Sequence, residues 1–232
     1  MNNMSTKKIV IIGGEGNGGV VASCIEDNKK RFNDNEWEVA GFINDYEESV
    51  CGYPVIGRME DVNRLVEGTD YYFMFAIHTV GRNTLIEKTF NKINIPLDRL
   101  GTVIHNSAFV AESAEIEPGC FVFCNCYVGP QSKLGHCTML MANTVVGHNS
   151  ILGPHCHVAV GGIVSSYDTI GKCSSIAFGT VVLEKRTIGN YCVAGANAVV
   201  SHDIPDYEIH VGTPAKFLKR IKDIDEYDDV RH

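Results

Sequence analysis

Nine histidines and nine cysteines are the side chains of this 232-residue chain best suited to move protons, bind metals or attack carbonyls. Few of them stand where chemistry would need them. His148, in NTVVGHNSILG (Asn143–Gly153), lies two positions past Val146. An imidazole changes charge near neutral pH, so it can take a proton and return it there. His157, in PHCHVAVGG, follows nine residues later. The run GGEGNGG (Gly13–Gly19) contains G-x-G-x-x-G as Gly14, Gly16 and Gly19, with Asn17 and Gly18 between. After a strand and before a helix, such glycines let a phosphate reach backbone N–H groups at the helix N-terminus. Asp45, at the end of a second apolar run, can hydrogen-bond a ribose or a base. Arg82, after a third, can face a diphosphate.

The cysteines point away from metal and disulfide chemistry. Cys120, Cys124 and Cys126 form a close cluster with no C-x-x-C in it. Cys120, Cys126, Cys156 and Cys192 each stand two positions before an aliphatic repeat residue. Ala, Ser, Thr or Gly fill most of the other slots, so a small side chain is expected there, and a thiol is a small hydrophobe. No two histidines are five apart, so an H-x4-H metal pair is absent, and a metal site needs three protein ligands. No metal is expected. Unpaired thiols in odd number fit the reducing cytoplasm. A net charge of −8 argues against nucleic acid as a partner. No apolar run reaches the length of a membrane span, so no membrane insertion is expected. KIVIIGG reads as a core strand rather than a leader.

The elements that must position these residues fall into two halves. KIVIIG (Lys8–Gly13), WEVAGFIN (Trp37–Asn44) and YYFMFAI (Tyr71–Ile77) read as strands, with helical patterns at Gly19–Phe32 and Thr84–Ile93. That alternation implies a small parallel sheet with flanking helices, a reduced Rossmann-like α/β domain over residues 1–100. From Ile104 to Val200 an aliphatic residue recurs at every sixth position, seventeen times without a gap. Neither a helix nor a simple strand has that period; a parallel β-helix of hexapeptide repeats does. Three hexapeptides make one triangular coil, so residues 101–204 form about five to six coils spaced about 4.8 Å apart. Glycine often follows the aliphatic residue, as at Gly129, Gly135, Gly147, Gly153 and Gly171, which suggests a corner needing positive φ. The stack needs a cap at each end. The α/β domain is expected over one and residues 205–232 over the other, with FLKRIKDIDEYDD as a solvated helix.

A glycine-rich α/β domain, a hexapeptide ladder and then VGTPAK (Val211–Lys216) resemble the NeuD/PglD-type sugar acyltransferases, sialic-acid O-acetyltransferases and bacillosamine N-acetyltransferases. The likeness spans almost the whole chain. It implies a left-handed β-helix, an exception to the usual crossover hand, and homotrimers with sites between subunits. It implies acetyl-CoA as co-substrate and His148 as general base. Asn149 stands where the family usually has Asp or Glu; an amide can orient the ring but adds no charge. That leans toward an amine acceptor, which is already nucleophilic when neutral. The resemblance makes Gly14, Gly16, Asn17, Gly18, Asp45 and Arg82 a nucleotide-sugar site, although the family often has His at the place of Asn17. It puts His157 near substrate or coenzyme, reaching His148 of a neighbouring subunit. It runs the pantetheine arm past Gly212, Thr213 and Pro214 and sets Lys216 against the coenzyme phosphates. A backbone N–H near Gly161 and Gly162 is expected to hold the oxyanion. The function so implied is N-acetylation of a UDP-linked 4-amino-4,6-dideoxy sugar in the cytoplasm. O-acetylation of a sialic-acid-like sugar and a non-catalytic nucleotide-binding scaffold are the alternatives.

Overall fold

The computed structural model describes residues 6–222. Its first half is a five-stranded sheet. Strands β1 (Lys7–Ile12), β2 (Trp37–Ile43), β4 (Tyr53–Gly57) and β5 (Tyr72–Phe75) are parallel, and β3 (Ser49–Val50) pairs antiparallel with β4. The order is β3-β4-β2-β1-β5. Alternation along β1 explains the layers. Ile9 and Ile11 pack under helix α1 (Asn17–Phe32) with Val21, Cys24 and Ile25. Val10 and Ile12 point the other way, against Ile86, Phe90 and Ile93 of helix α3 (Asn83–Ile93). Both faces are covered, as a parallel sheet requires. The β3–β4 hairpin and the short helix α2 (Val62–Gly68) were not expected. The hairpin turns on Cys51 and Gly52, both at positive φ, and its strands are too short to show an alternating pattern.

The second half is a left-handed parallel β-helix. Seventeen two-residue strands run from β6 (Val103–Ile104) to β22 (Val199–Val200), and each ends on one of the seventeen aliphatic residues of the ladder. Up to β19 (Val181–Val182), each strand pairs in parallel with the one eighteen residues on, for example Val145 with Ile163 and Val146 with Val164. Three walls result. One carries β7 (Phe109–Val110) through β22, a second β8 (Glu115–Ile116) through β20 (Thr187–Ile188), and a third begins at β6. The ladder residues fill the prism from Val122 to Val200, nearly all wholly buried.

The glycine after each ladder residue has a different reason from the expected one. Gly129, Gly135, Gly147 and Gly171 do not have positive φ. A Cβ on Gly147 would lie 2.5 Å from the carbonyl of Ser165 in the next coil, and one on Gly171 2.5 Å from Gly189. Close coil-to-coil approach excludes a side chain there. Positive φ falls two positions later, at Asn125, Gln131, Cys137, Asn143, Asn149, His155, Tyr167, Cys173, Lys185, Tyr191 and Asn197.

The small-residue slot also departs in part from expectation. Its side chains donate to the carbonyl fifteen residues on: Ser150 to Ser165 at 2.7 Å, Ser174 to Gly189 at 2.7 Å, Thr180 to Gly195 at 2.6 Å and Cys156 to Gly171 at 3.2 Å. All nine cysteines are free, and burial pushes the thiols of Cys120 and Cys192 up to about 12 and about 11. Yet the same slot also takes Asp168 and Arg186. The Asp168 carboxyl is 1% exposed and burial pushes it up to about 6, although its Oδ1 accepts the Arg186 N–H at 2.8 Å.

The α/β domain does not sit over the end of the prism. It lies along the third wall, whose outward residues Val103, Phe121 and Met139 join the α1-side core. Asn28 ties α1 to the first coil through the Ile104 carbonyl at 2.8 Å and the Asn106 N–H at 3.0 Å. Asn83 donates to the Cys173 carbonyl at 2.6 Å, and Glu87 accepts from Lys172 at 2.8 Å and from the Tyr191 hydroxyl. An apolar wall beside an apolar sheet face gains more by lying flat than by touching at a tip. Ile104, Val110 and Ile116, the first rungs of the ladder, remain only partly buried.

The far end is closed by a short hairpin. Ile204 and Ala215 close the core, β23 (Glu208–Val211) extends the third wall in parallel, and β24 (Lys216–Arg220) turns back antiparallel. The start of FLKRIKDIDEYDD is thus strand, not helix; the rest of the expected helix lies outside the described residues. No helix among the described residues is long and apolar enough to cross a membrane.

Candidate active site

His148 follows β13 (Val145–Val146) at the corner before β14 (Ile151–Leu152), on the outside of the prism. Its side chain is exposed. Asn149, held at φ 60, turns its amide back so that Oδ1 lies 2.9 Å from His148 Nδ1. An amide oxygen only accepts, so Nδ1 carries the hydrogen and Nε2 keeps a lone pair facing outward. From the adjacent coil, Tyr167 meets the imidazole edge to face at 5.1 Å, and its backbone N–H donates to the His148 carbonyl at 3.1 Å. The corner therefore fixes both tautomer and ring plane. Sequence reasoning missed Tyr167. The eighteen-residue register from Asn149 marks its place.

His157 begins β15 (His157–Val158) on the third wall, beneath the α/β domain. Burial holds its imidazole down at about 4. Within one chain it is on a different wall from the His148 corner. His78, from the loop after β5, stacks on it at 5.5 Å and 29°. Sequence reasoning missed His78 as well, although a residue just past a parallel strand's carboxyl end is where ligands of such sheets bind.

The glycine-rich turn leaves β1 at Gly13, whose φ of 150° suits glycine. The residues that follow divide by role. A Cβ on Gly18 would press on Phe42 at 3.0 Å, so Gly18 serves helix–strand packing. A Cβ on Gly16 would meet nothing within 4 Å, and one on Gly14 only the Asn44 amide. Gly16 caps α1 without a side chain, and Asn17 opens the helix. The first turn has no acidic residue, so its N–H groups and positive dipole end suit a phosphate. Asp45 sits across the strand ends in a cleft of about 550 Å³ with Asn44, Arg58 and Asp61. One of its oxygens already accepts the Met59 N–H at 2.9 Å, which leaves the other for a ligand. Arg82 caps α3 at the end of the His78 loop.

VGTPAK forms the β23–β24 turn. Gly212 has φ 94, the Thr213–Pro214 bond is cis, and the Thr213 hydroxyl donates to the Asn197 carbonyl at 3.2 Å. Lys216 is exposed at the start of β24. The Gly161 N–H donates to the Ala142 carbonyl of the preceding coil at 3.1 Å, and the Gly162 N–H to the Ala159 carbonyl of its own turn at 2.9 Å. Both of these donors are engaged in the structure.

The PglD N-terminal domain family matches residues 8–93. No curated protein matches by sequence. A solved variant of perosamine N-acetyltransferase from Caulobacter crescentus, in complex with CoA and GDP-perosamine, is 27% identical. The match covers 93% of this chain and 98% of that one, with a TM-score of 0.79. The acetyltransferase domain of PglB from Neisseria gonorrhoeae FA1090, in complex with acetyl coenzyme A, is 29% identical over 92% of this chain and 100% of that one, with a TM-score of 0.79. WeeI from Acinetobacter baumannii AYE shares the fold at 20% identity, covering 92% and 100%, with a TM-score of 0.75. A PglD-type N-terminal domain over residues 8–93, laid along a hexapeptide prism in an arrangement shared end to end with two acetyltransferases, supports an acyltransferase of the NeuD/PglD type.

Proposed function

We propose that the chain transfers an acetyl group from acetyl-CoA to the amine of a nucleotide-linked amino sugar, with His148 as general base. The observation that carries this reading is the His148 Nδ1–Asn149 Oδ1 contact, which leaves the Nε2 lone pair at an exposed corner. In the proposed reaction the sugar nitrogen attacks the thioester carbonyl and loses its proton to His148 Nε2. The C–S bond then breaks, and His148 returns the proton to the departing thiolate. No acyl-enzyme is needed, and the buried thiols are unsuited to form one. Asn149 adds no negative charge to favour the imidazolium, which suits an amine better than a hydroxyl.

The α1 N-terminus with Gly14, Gly16 and Asn17 would take the sugar-nucleotide phosphates, with Asp45 toward the nucleoside and Arg82 beside the diphosphate. Lys216 and the Gly212–Pro214 turn would take the coenzyme. The wall carrying Phe109, Tyr127, Val145 and Ile163 supports a homotrimer, because Phe109 and Tyr127 stack at 5.2 Å with 56% and 40% of their surface open. Nine free thiols support work in the cytoplasm. The sequence reading favours a UDP sugar; perosamine N-acetyltransferase was solved with a GDP sugar.

A mass-spectrometric assay with acetyl-CoA and UDP-, dTDP- and GDP-linked 4-amino sugars, plus free and CMP-linked sialic acids, tests this. One acetyl gained on an amine, and lost in His148→Ala, is expected. A gain on hydroxyls alone would replace N- by O-acetylation, and no transfer to any acceptor would overturn the reading.

A further inference from the structure

Away from the His148 corner, three side chains meet in the geometry of a nucleophile, its base and the acid that orients the base. Ser107, at the corner between β6 and β7, places its hydroxyl 2.8 Å from His105 Nδ1. His105 Nε2 lies 2.9 Å from Asp27 Oδ2, on α1. The tautomer follows from the partners. A carboxylate only accepts, so Nε2 carries the hydrogen. The Ser107 backbone N–H donates to Nδ1 at 3.1 Å, so Nδ1 presents a lone pair and the Ser107 hydroxyl donates to it as well. In that tautomer an imidazole can take a serine proton. The ring is only 2% exposed, and Phe32 and Phe123 meet it edge to face at 5.6 and 5.8 Å. The bond from His105, and after it the charge of Arg31, hold the Asp27 carboxyl below the usual range, so it is an anion at neutral pH.

Structural duties do not account for this trio. The Ser107 hydroxyl accepts the Asn125 N–H of the next coil at 3.1 Å. Ser113, six residues on, accepts the Gln131 N–H at 3.3 Å in the same way, with Ala111 where Ser107 has His105. Bonding between coils at this position therefore needs a hydroxyl and no imidazole. Asn28, next to Asp27, already ties α1 to the same turn through the Ile104 carbonyl and the Asn106 N–H. Ser107 is exposed, so a reagent can reach its hydroxyl. The backbone N–H groups of Ser107, Ala108 and Asn125 are engaged. Asn106 is exposed beside them, and its side-chain amide has no partner among the described residues. A side-chain amide is a donor suited to the oxygen of a carbonyl under attack.

We propose that Ser107, His105 and Asp27 form a second, esterase-type site, with Ser107 the nucleophile toward small carboxylic esters. Ser107 Oγ bonds to the ester carbonyl carbon while its proton passes to His105 Nδ1, and Asp27 stabilises the imidazolium through Nε2–H. The carbon–oxygen bond to the alcohol breaks, and the alcohol leaves with the proton from His105. Water then attacks the acylated Ser107, its proton travelling by way of His105 to Ser107 Oγ, and the carboxylic acid departs. Ser107 and His105 are the catalytic residues, and Asp27 is a positioning residue. Small esters are the fitting class, because the corner is open and makes its contacts at the carbonyl.

The test uses the full chain with p-nitrophenyl acetate as ester and an alkyl fluorophosphonate as label, which such a serine attacks with loss of fluoride. Peptide mass spectrometry locates the label and compares Ser107 with Ser113 in the same molecule. Label on Ser107 and none on Ser113 is expected. Ser107→Ala should remove the label and part of the ester hydrolysis, and leave acetyl transfer unchanged. Asp27→Asn should slow the labelling, and lower kcat for the Ser107-dependent hydrolysis, by about a hundredfold or more with KM unchanged; Asp27→Glu should recover part of both. Circular dichroism and thermal melting establish that the variants fold. No label on Ser107 in the folded, unsubstituted chain would overturn the proposal and leave the trio as a clamp across the domain seam. Equal label on Ser107 and Ser113, a labelling rate that Asp27→Asn leaves unchanged, or hydrolysis that Ser107→Ala leaves whole would overturn it as well.

Discussion

A carboxyl buried in a slot for small side chains has a measurable consequence. Asp168 has its folded-state value raised from 3.8 to about 6. Below about pH 4 both folded and unfolded chains hold the proton, and the group is neutral in its effect. As pH rises toward 6 the unfolded chain releases it first, so the fold loses support, and the full penalty stands above pH 6. Asp168→Asn is therefore expected to stabilise the protein by roughly 1–3 kcal/mol at pH 7.5 and by nothing near pH 3.5. Urea titrations at the two pH values check this. At His148, Asn149→Asp replaces an amide oxygen with a carboxylate oxygen at the same 2.9 Å contact. The imidazolium gains a partner, and the acid limb of the pH–rate profile is expected to move up by about one unit. An unmoved limb would show that Asn149 sets geometry alone. The corner position of His148 was legible because the repeat fixes which side chains stand at corners. The place of His78 was not, because its stack on His157 joins residues seventy-nine positions apart across a domain seam.

At the scale of elements, the prism separates two requirements that a glycine pattern confuses. Gly147→Ala drives a methyl into the next coil's backbone at 2.5 Å and is expected to cost about 3 kcal/mol or more. Lys185→Gly, at φ 60 on an exposed corner, should gain up to about 1 kcal/mol. Thermal melts of the two variants should shift in opposite directions. The period of six was readable because each coil repeats one inward residue. The identity of the strained position was not, since Asn, Gln, Cys, His, Tyr and Lys all occupy it and share no obvious chemistry. The domain seam gives a second test. His155 and His157 sit at about 4, below the ordinary value of 6.5. Above pH 6.5 both states are neutral at these rings. As pH falls from 6.5 to 4 the unfolded chain takes up protons that the folded chain refuses, and stability drops by roughly 3 kcal/mol per ring. His155→Phe should remove its share of that drop, as measured by denaturation at pH 7.5, 5.5 and 4.5. Docking along a wall was not legible in the sequence, because Val103, Phe121 and Met139 are outward positions of an ordinary-looking repeat.

For the whole molecule, the exposed ladder of Phe109 and Tyr127 with Val145 and Ile163 is the surface expected to hold three copies together. Tyr127→Glu with Ile163→Glu should yield monomers by light scattering and abolish acetyl transfer, since the family resemblance implies a site between subunits. Monomers that retain full transfer would show that one chain suffices. The two ends of the prism are unlike. At the second, β24 runs backwards and brings Lys216, Lys219 and Arg220 to the rim. A parallel stack of coils is otherwise a template on which another copy's first coil could continue the same hydrogen-bond ladder, as in cross-β fibres. A reversed strand offers the wrong polarity for that continuation. The final hairpin is thus a terminator of polymer growth, and a chain ending before it would leave an end able to seed filaments.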